Sequence, residues 1–421
     1  MPYCYLDNAA TTRISPAALA AMTAAYEGAG FANPSSTHGA GDASLRVLED
    51  ARRRVAACVH ARPREVVFTS GGTEANNQAL LTGARYGAEC GRRHIVASAI
   101  EHPSVLRTLE WLESAEGPFG GNFAVTLVAP DAEGVVSVSA VKAAMREDTC
   151  LVSVMHTNNE VGSQAPVRDL CRMARKRGAL FHTDAVQAAG HAELDFTRDG
   201  FDLMSLSAHK FHGPRGTGAL VCSHRLRPAP LMHGGSQERG LRAGTVDVAG
   251  ACGMAVALEQ ATSELTQHAA HLEELRAYLA SELWRIDGVH ILGAHESASR
   301  HPGIVGLAIE GVNHEAALVL LDEQGICVSA GSACAAGAVE PSHVLAAMGV
   351  APELAQGFLR VSLDANENSK QDIDSFVAAL ASTVERLRRR AGERRSPSAE
   401  NPALGASAGN GEPAPYPGGA R

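Results

Sequence analysis

The chain contains few lysines and few aromatic side chains. Aromatic residues make up 4% of its 421 residues, and only four of its 37 basic residues are lysines: Lys142, Lys176, Lys210 and Lys370. Arginine serves solubility as well as lysine does, but it cannot form a Schiff base. A lysine kept between a histidine and a glycine-rich turn, in SLSAHKFHGPRGTG (205–218), therefore indicates chemistry at the amine of Lys210.

Other absences exclude whole classes of protein. The nine cysteines include no C-x-x-C pair, so neither a zinc ribbon nor a disulfide framework is indicated. We therefore expect the protein to be located in a reducing cytoplasm. A net charge of −9 without a basic stripe argues against nucleic acid as a direct partner. The N-terminus has no basic and apolar signal segment, and no apolar run is long enough to span a bilayer, so we expect no membrane association.

Short apolar runs rich in β-formers alternate with amphipathic segments, which favours a largely parallel sheet flanked by helices. A long helix predicted around 252–287 links this part to a smaller α+β domain, which contains the runs GIVGLAI and FLRVSL and ends in a helix from Lys370 to Arg390. From Ala391 the chain turns to Pro, Gly, Ala and Ser without apolar periodicity, and we expect a disordered tail.

Three polar features follow predicted strands in chain order. In FTSGGTEANN, free amides at a helix start and the Thr73 hydroxyl would hold a phosphate, although an ordinary strand–helix turn also fits. Asp184 in HTDAVQ would pair with a pyridinium nitrogen, unless it caps a helix or forms a salt bridge. Lys210 comes next, also just past a strand. Together the phosphate site, the acid and the amine are the groups that pyridoxal phosphate requires.

Three further residues carry a chemical and an ordinary structural interpretation. His102, after the strand run HIVASAI, could stack on a pyridine ring and move protons, or be structural. Cys334 lies among small residues in CVSAGSACAAGAVEP, which favours a reactive thiol over a buried one. Arg360, inside an apolar strand run, would bind a substrate carboxylate or form an internal salt bridge.

These motifs, together with YLDNAATT, NPSSTH, MHTNNEVG and MHGGSQERGLRAGT, resemble those of the NifS/IscS-like cysteine desulfurases of the class V aminotransferase family. The resemblance implies an α/β protein of the pyridoxal-phosphate transferase fold type I, with a mainly parallel seven-stranded sheet in a large domain and a smaller α+β domain. It implies four segments: 1–13 packing with the small domain, 14–260 as the cofactor-binding domain, 261–390 as the small domain with the Cys334 loop, and 391–421 as the disordered tail.

The resemblance also implies a role for each site residue. Lys210 would bind the cofactor covalently and act as acid and base, and Cys334 would attack the sulfur of the substrate. Asn159 and Arg360 would orient the substrate. The implied cofactor contacts are Asp184 on the ring nitrogen, Gln187 on the phenolic oxygen, His102 stacked on the ring, Asn159 nearby, and Gly72, Thr73, Ser207, His209 and the partner subunit's Thr245 on the phosphate.

The implied reaction converts L-cysteine to L-alanine and leaves a persulfide on Cys334. A protein acceptor such as an iron–sulfur scaffold would take the sulfur, and Cys334 would be a transient iron–sulfur ligand in a homodimer. Three alternative functions stay open: a selenocysteine lyase, another pyridoxal-phosphate aminotransferase or lyase, and a non-catalytic scaffold of the same fold. The chain departs from the family's usual pattern at Ala32, Ala243 and Asp364, where the family has glycine, serine and glycine.

Overall fold

The computed structural model describes residues 3–331 and 342–395. Cys334 falls outside these ranges, as does the chain beyond Arg395. Within the described ranges, no helix combines the length and the apolar character needed to cross a membrane.

A seven-stranded sheet forms the centre of the larger part of the chain. Its strands are β2 (Val66–Thr69), β3 (His94–Ser98), β4 (Ala124–Val128), β5 (Thr149–Ser153), β6 (Leu180–Asp184), β7 (Leu203–Ser207) and β8 (Gly218–Cys222). They lie in the order β2-β8-β7-β6-β5-β3-β4. Strand β8 pairs antiparallel with both of its neighbours, and the other pairs are parallel. The predicted largely parallel sheet is thus confirmed.

Helices cover both faces of this sheet, which explains why its strands are continuous apolar runs. The helices of this part are α1 (Pro16–Glu27), α2 (Gly39–Cys58), α3 (Gly72–Glu89), α4 (Pro103–Glu113), α5 (Val138–Ala144), α6 (Val167–Lys176), α7 (Phe196–Asp199), α8 (Gln237–Gly240) and α9 (Val248–Ser263). Neighbouring residues of one strand enter different cores: Ile95 belongs to the core that contains residues of α3 and α4, whereas Val96 belongs to the core that contains residues of α2, α6 and α9. The two-residue repeat of a strand produces this division.

The rest of the chain builds a second core around an antiparallel sheet of three strands in the order β12-β10-β9. Its strands and helices are α10 (Leu265–Leu283), β9 (Val289–Leu292), β10 (Ile304–Ile309), α11 (His314–Asp322), β11 (Ile326–Cys327), α12 (His343–Ala347), α13 (Pro352–Ala355), β12 (Phe358–Ser362) and α14 (Lys370–Arg395). Leucines of α10, a valine of β10 and Phe376 of α14 pack together there. The placement of the domain boundaries stays a prediction.

Two helix predictions are wrong in detail. The single helix expected around 252–287 is two helices, α9 and α10, which meet at Glu264. The break separates leucines that serve different cores, because Leu258 packs in the first core and Leu272 in the second. The last helix continues to Arg395, past the predicted end at Arg390. Alanine, glutamate and arginine, which make up four of the five residues in the sequence AGERR, have high helix propensity.

The N-terminal segment connects the second core to the first. Strand β1 (Cys4–Tyr5) pairs in parallel with β11. The Asn8 side chain donates to the carbonyl oxygen of Ser362 at 2.9 Å, and the Ala9 amide donates to the Ser362 hydroxyl at 2.9 Å. The segment then reaches Ser15, whose hydroxyl caps α1. Residues 4–15 therefore cross the junction between the two cores.

A buried ion pair fixes the loop before α9 that contains Gln237–Gly240, labelled α8 above although two of its residues depart from helical geometry. Arg52 of α2 binds both carboxylate oxygens of Glu238, each at 2.6 Å, and both side chains are almost fully buried. Glu238 and Arg239 adopt left-handed φ angles of 46° and 61°. Such angles cost about 1–3 kcal/mol each and persist only where the surroundings impose them. We infer that the ion pair imposes the shape of this loop.

We expect Glu238→Gln to lower the free energy of unfolding by about 3 kcal/mol, because it leaves a buried Arg52 cation without its charge partner. Urea titration followed by circular dichroism would measure the loss. The matched control is Asp50→Asn, which removes an exposed ion pair of 2.8 Å with Arg53 on the same helix and should change stability by less than about 1 kcal/mol. Equal losses in the two variants would contradict the importance of the buried pair.

Candidate functional site

The carboxyl ends of five strands converge on one cavity of about 220 Å³. Strands β2, β3, β5, β6 and β7 run in the same direction, so the residues that follow them meet at one edge of the sheet. The cavity is lined by Ala9, Ala10, Gly72, Thr73, Asn76, His102, Met155, Asn159, Asp184, Val186, Gln187, Ser207, His209, Lys210 and Arg360.

One end of the cavity is the N-terminus of α3, which begins at Gly72. Its N-cap is Gly71, with a φ of 152°, and within the described chain no side chain caps the helix there. Its first amides are therefore available to an anion, and Thr73 and Ser207 bring hydroxyls to the same end. A Cβ at Gly72 would come within 2.7 Å of Val186 Cγ2, which explains the glycine.

Asp184 lies at the end of β6 and is buried. Its carboxylate accepts hydrogen bonds from the Asn76 side chain at 2.7 Å and from the Val186 amide at 2.9 Å. Two donors hold the group in one orientation in the cavity wall, which is the arrangement that a cationic ring nitrogen would need.

Lys210 lies in a short 3-10 turn, Ala208–Lys210, immediately after β7. Its Nζ atom donates to the backbone oxygens of Ala9 and Ala10 at 2.6 and 2.8 Å. The Gln187 side chain donates to the Ala9 oxygen as well, at 2.9 Å. The N-terminal segment therefore supplies the backbone oxygens that accept hydrogen bonds from the Lys210 amine.

Two histidines of the cavity are neutral at physiological pH. Burial lowers the pKa of His102 and outweighs the charge of Asp184, which raises it, while the charge of Lys210 lowers it further. His102 Nδ1 accepts the amide hydrogen of Ser104 at 3.1 Å, so its proton resides on Nε2. Burial, with the charges of Lys210 and Arg215, lowers the pKa of His209 to about 4. A neutral ring can stack on a pyridine or donate one hydrogen bond.

Arg360 enters the cavity from β12 of the second core and is buried. Its guanidinium donates to the Asp7 carboxylate at 2.7 Å and to the backbone oxygen of Asn159 at 2.8 Å. The internal salt bridge considered from the sequence is therefore present. Nε of the same guanidinium is buried and has no hydrogen-bond partner among the described residues, so one donor is left for another group.

The structure brings together every predicted site residue except two: Thr245 is exposed outside the cavity, and Cys334 lies outside the described residues. The sequence interpretation missed five lining residues: Ala9, Ala10, Asn76, Met155 and Val186. All of them stand in or beside the motifs quoted above. Asn76 could have been found from helical spacing, because it lies one turn after Thr73.

The thiols of the described chain are mostly unreactive. Burial raises the pKa of Cys4, Cys150, Cys171 and Cys222 to about 12 and that of Cys58 to about 11. Burial also raises the pKa of Cys252 and Cys327. Across residues 3–331 and 342–395 no group of three or more His, Cys, Asp or Glu side chains could hold a metal ion.

The cavity fits pyridoxal phosphate. The uncapped helix N-terminus suits a phosphate, the fixed Asp184 carboxylate suits a ring nitrogen, and the Lys210 amine is within the same cavity. A buried oxygen of Asn76, Oδ1, also has no hydrogen-bond partner in the described chain, which leaves an acceptor in the wall. Fold and site together define an enzyme of the pyridoxal-phosphate fold type I class.

Comparison with known proteins identifies the family. The profile of the family described as Aminotransferase class-V matches residues 4–376. An IscS-like cysteine desulfurase of Mycobacterium tuberculosis is 43% identical over 92% of this chain and 98% of its own. A solved NifS-like protein superposes with a TM-score of 0.83 at 36% identity, covering 91% of this chain and all of its own. The chain belongs to the class-V aminotransferase family, in its IscS-like branch.

A third similarity concerns a structure with a ligand. A solved structure described as SspA in complex with cysteine has a TM-score of 0.72 and 32% identity, covering 86% of this chain and 99% of that chain. The family resemblance derived from the motifs is thus confirmed.

We expect Gly72→Ala to weaken the retention of pyridoxal phosphate by about tenfold or more, because the added methyl group clashes with Val186 at the phosphate end. Equilibrium dialysis against free cofactor would measure the change. The control is Gly39→Ala at the start of α2, where a Cβ meets nothing within 4 Å. Unchanged retention in Gly72→Ala would show that the phosphate binds elsewhere.

Proposed function

We propose that the chain is a cysteine desulfurase that converts L-cysteine to L-alanine and transfers the sulfur to Cys334 as a persulfide. The observation that carries the proposal is the single cavity that combines a lysine amine, a fixed carboxylate, a neutral histidine and a buried arginine. The family to which the chain belongs supports the same reaction.

The chain's own residues would hold the cofactor at both ends. We assign the phosphate to the first amides of α3 with Thr73, Ser207 and His209, helped by the partner subunit's Thr245 in a homodimer. Asp184 would pair with the ring nitrogen and Gln187 with the phenolic oxygen, while His102 would stack on the ring and Asn159 would contact it. When bound, pyridoxal phosphate withdraws electrons from the substrate's α-carbon.

Lys210 would form the covalent bond to the cofactor and, once released from it, move protons at the substrate's α-carbon. The backbone oxygens of Ala9 and Ala10 hold its Nζ within the cavity. They can hold the amine in the same place after it leaves the cofactor, because they belong to a segment fixed by Ser362.

Arg360 and Asn159 would orient the substrate. A substrate carboxylate would find a guanidinium that is already held by Asp7 and by the Asn159 backbone. Because Nε lacks a partner among the described residues, the carboxylate would satisfy a buried donor as well as a charge. That combination favours an amino-acid substrate over an amine.

The sulfur step requires a thiolate nucleophile. The Cys334 thiolate attacks the sulfur of the bound cysteine, a sulfur–sulfur bond forms, and the carbon–sulfur bond breaks. The electron pair of that bond remains with the carbon, which takes up a proton, and L-alanine leaves. A protein acceptor, such as an iron–sulfur scaffold, would then take the sulfur from Cys334, which could also ligate a nascent cluster.

The setting that we propose for this activity is a reducing cytoplasm. The eight cysteines of the described chain are all unpaired, which suits such a compartment. The homodimer is proposed because Thr245 is exposed and lies outside its own chain's cavity.

We expect Lys210→Arg to abolish alanine formation from L-cysteine, because a guanidinium cannot bond to the cofactor. Borohydride treatment followed by mass spectrometry should attach the cofactor to the Lys210 peptide of the native chain and to no peptide of the variant. The control is Lys142→Arg, at an exposed lysine of α5, which should behave like the native chain. Alanine formation by Lys210→Arg at the native rate would refute the assignment.

We expect Cys334→Ala to bind pyridoxal phosphate normally yet release no alanine, because the sulfur acceptor is missing. After incubation with L-cysteine, mass spectrometry should find one added sulfur on the Cys334 peptide of the native chain. The control is Cys327→Ala, since burial raises the pKa of Cys327, and it should retain activity. Added sulfur on Cys327 instead of Cys334 would contradict the mechanism. If the native chain releases selenium from L-selenocysteine but no sulfur from L-cysteine, a selenocysteine lyase is favoured instead.

A further inference from the structure

His212 lies two residues after Lys210 and makes contacts that fix its protonation state. Its Nδ1 is 2.9 Å from the backbone oxygen of Arg13, and its Nε2 is 2.8 Å from a carboxylate oxygen of Asp364. A carbonyl and an ionised carboxylate can only accept hydrogen bonds. Both ring nitrogens must therefore carry a proton, and His212 is an imidazolium cation.

The carboxylate of Asp364 is fixed independently of His212. Its other oxygen accepts the amides of Asn366 and Glu367 at 2.9 and 3.1 Å. Asp364 follows β12, the strand that carries Arg360, and is buried. The family's usual glycine at this position could not make this contact. The ion pair therefore joins the second core to the turn that carries Lys210.

The same histidine joins the turn to the N-terminal segment. The His212 amide donates to the Thr12 hydroxyl at 2.8 Å, and its carbonyl oxygen accepts the Ser15 amide at 2.9 Å. His212 itself has a left-handed φ of 65°, which a non-glycine residue adopts only where its surroundings impose it. His191 holds Lys210 itself, two residues earlier, since its Nε2 donates to the carbonyl oxygen of Lys210 at 3.0 Å.

We propose that protonated His212 and Asp364 are positioning residues for Lys210, forming an ion pair that locks the Lys210 turn onto the second core and is released when His212 loses its proton. This inference rests on the proposed function for its effect on turnover. The release follows from geometry, because a neutral imidazole has one N–H and can serve only one of the two acceptors.

The surrounding charges agree with this arrangement. Burial opposes the charge on His212, but the hydrogen bond and the charge of Asp364 outweigh it, and the pKa of His212 is raised. Burial would raise the pKa of Asp364, but its bond to His212 lowers it. Glu367 raises the pKa of His212, and His191 lowers that of Asp364. Arg13 is paired with Glu367, and His268 lowers the pKa of His191.

The pH range follows from these directions. His212 stabilises the turn fully below its ordinary pKa of about 6.5, and that stabilisation disappears as the pH rises through its raised pKa. Asp364 contributes above its ordinary pKa of about 3.9 and ceases to do so as the pH falls through its lowered pKa. The ion pair is therefore fully formed between these two ordinary values and opens as the pH rises through the raised pKa of His212.

The test compares Asp364→Asn with the native holoenzyme. Asparagine keeps an acceptor for the two backbone amides but removes the charge that faces His212. Carbon-13 NMR of labelled histidines should show His212 titrating at a lower pH in the variant. Hydrogen exchange at pH 6, read by mass spectrometry, should be about tenfold faster in peptides covering 205–218, the factor expected for losing one charge-assisted hydrogen bond. The alkaline limb of alanine formation should move to lower pH.

The control is Glu367→Gln, which removes the neighbouring carboxylate of an exposed pair with Arg13 and should change all three measurements much less than Asp364→Asn does, because the charge of Glu367 is the smallest of the influences on His212. If Asp364→Asn proves unstable, His212→Asn takes its place, because asparagine tolerates a left-handed φ. Unchanged exchange across 205–218 together with an unchanged pH profile would overturn the proposal. A native enzyme that forms no alanine would refute the proposed function, while NMR and exchange would still decide the ion pair.

Discussion

The common direction of five strands is the constraint on which the site depends. A charged side chain is costly in the middle of a buried strand, so the charged groups of this sheet stand at or after the strand ends, and the parallel arrangement gathers them at one edge. The uncapped start of α3 after β2, His102 after β3 and Asp184 at the end of β6 all arise in this way. Strand β8 runs the other way and supplies no lining residue.

The second core and the N-terminal segment add to the cavity the groups that the seven-stranded sheet does not provide. Arg360 comes from β12. The backbone oxygens that accept hydrogen bonds from Lys210 come from the N-terminal segment, which is itself hydrogen-bonded to Ser362 at the end of that strand. The cavity therefore lies where three separate parts of the chain meet. A movement of the second core would displace the arginine and those backbone oxygens together, because the same strand supports both.

The sheet and most of the cavity could be predicted from the sequence because their signals are local. An apolar run followed by a glycine, an acid or a lysine marks a strand end, and these marks located Gly72, Asp184 and Lys210. The contacts that were missed have no local signal. The Ala9 and Ala10 contacts use backbone oxygens, and the partners in Arg52–Glu238 and His212–Asp364 are 186 and 152 residues apart. The break at Glu264 depends on two cores whose extent only the folded chain reveals.

The raised pKa values of the buried cysteines have a consequence for sulfur chemistry. Persulfide sulfur moves readily from one thiolate to another, so every thiolate on an enzyme that carries it is a competing destination. Besides Cys327 of β11, burial raises the pKa of six cysteines of the described chain and so keeps them as thiols: Cys4, Cys58, Cys150, Cys171, Cys222 and Cys252. Burial thereby prevents these thiols from taking up the sulfur that the enzyme mobilises. Transfer of the sulfur is therefore confined to thiolates at the protein surface.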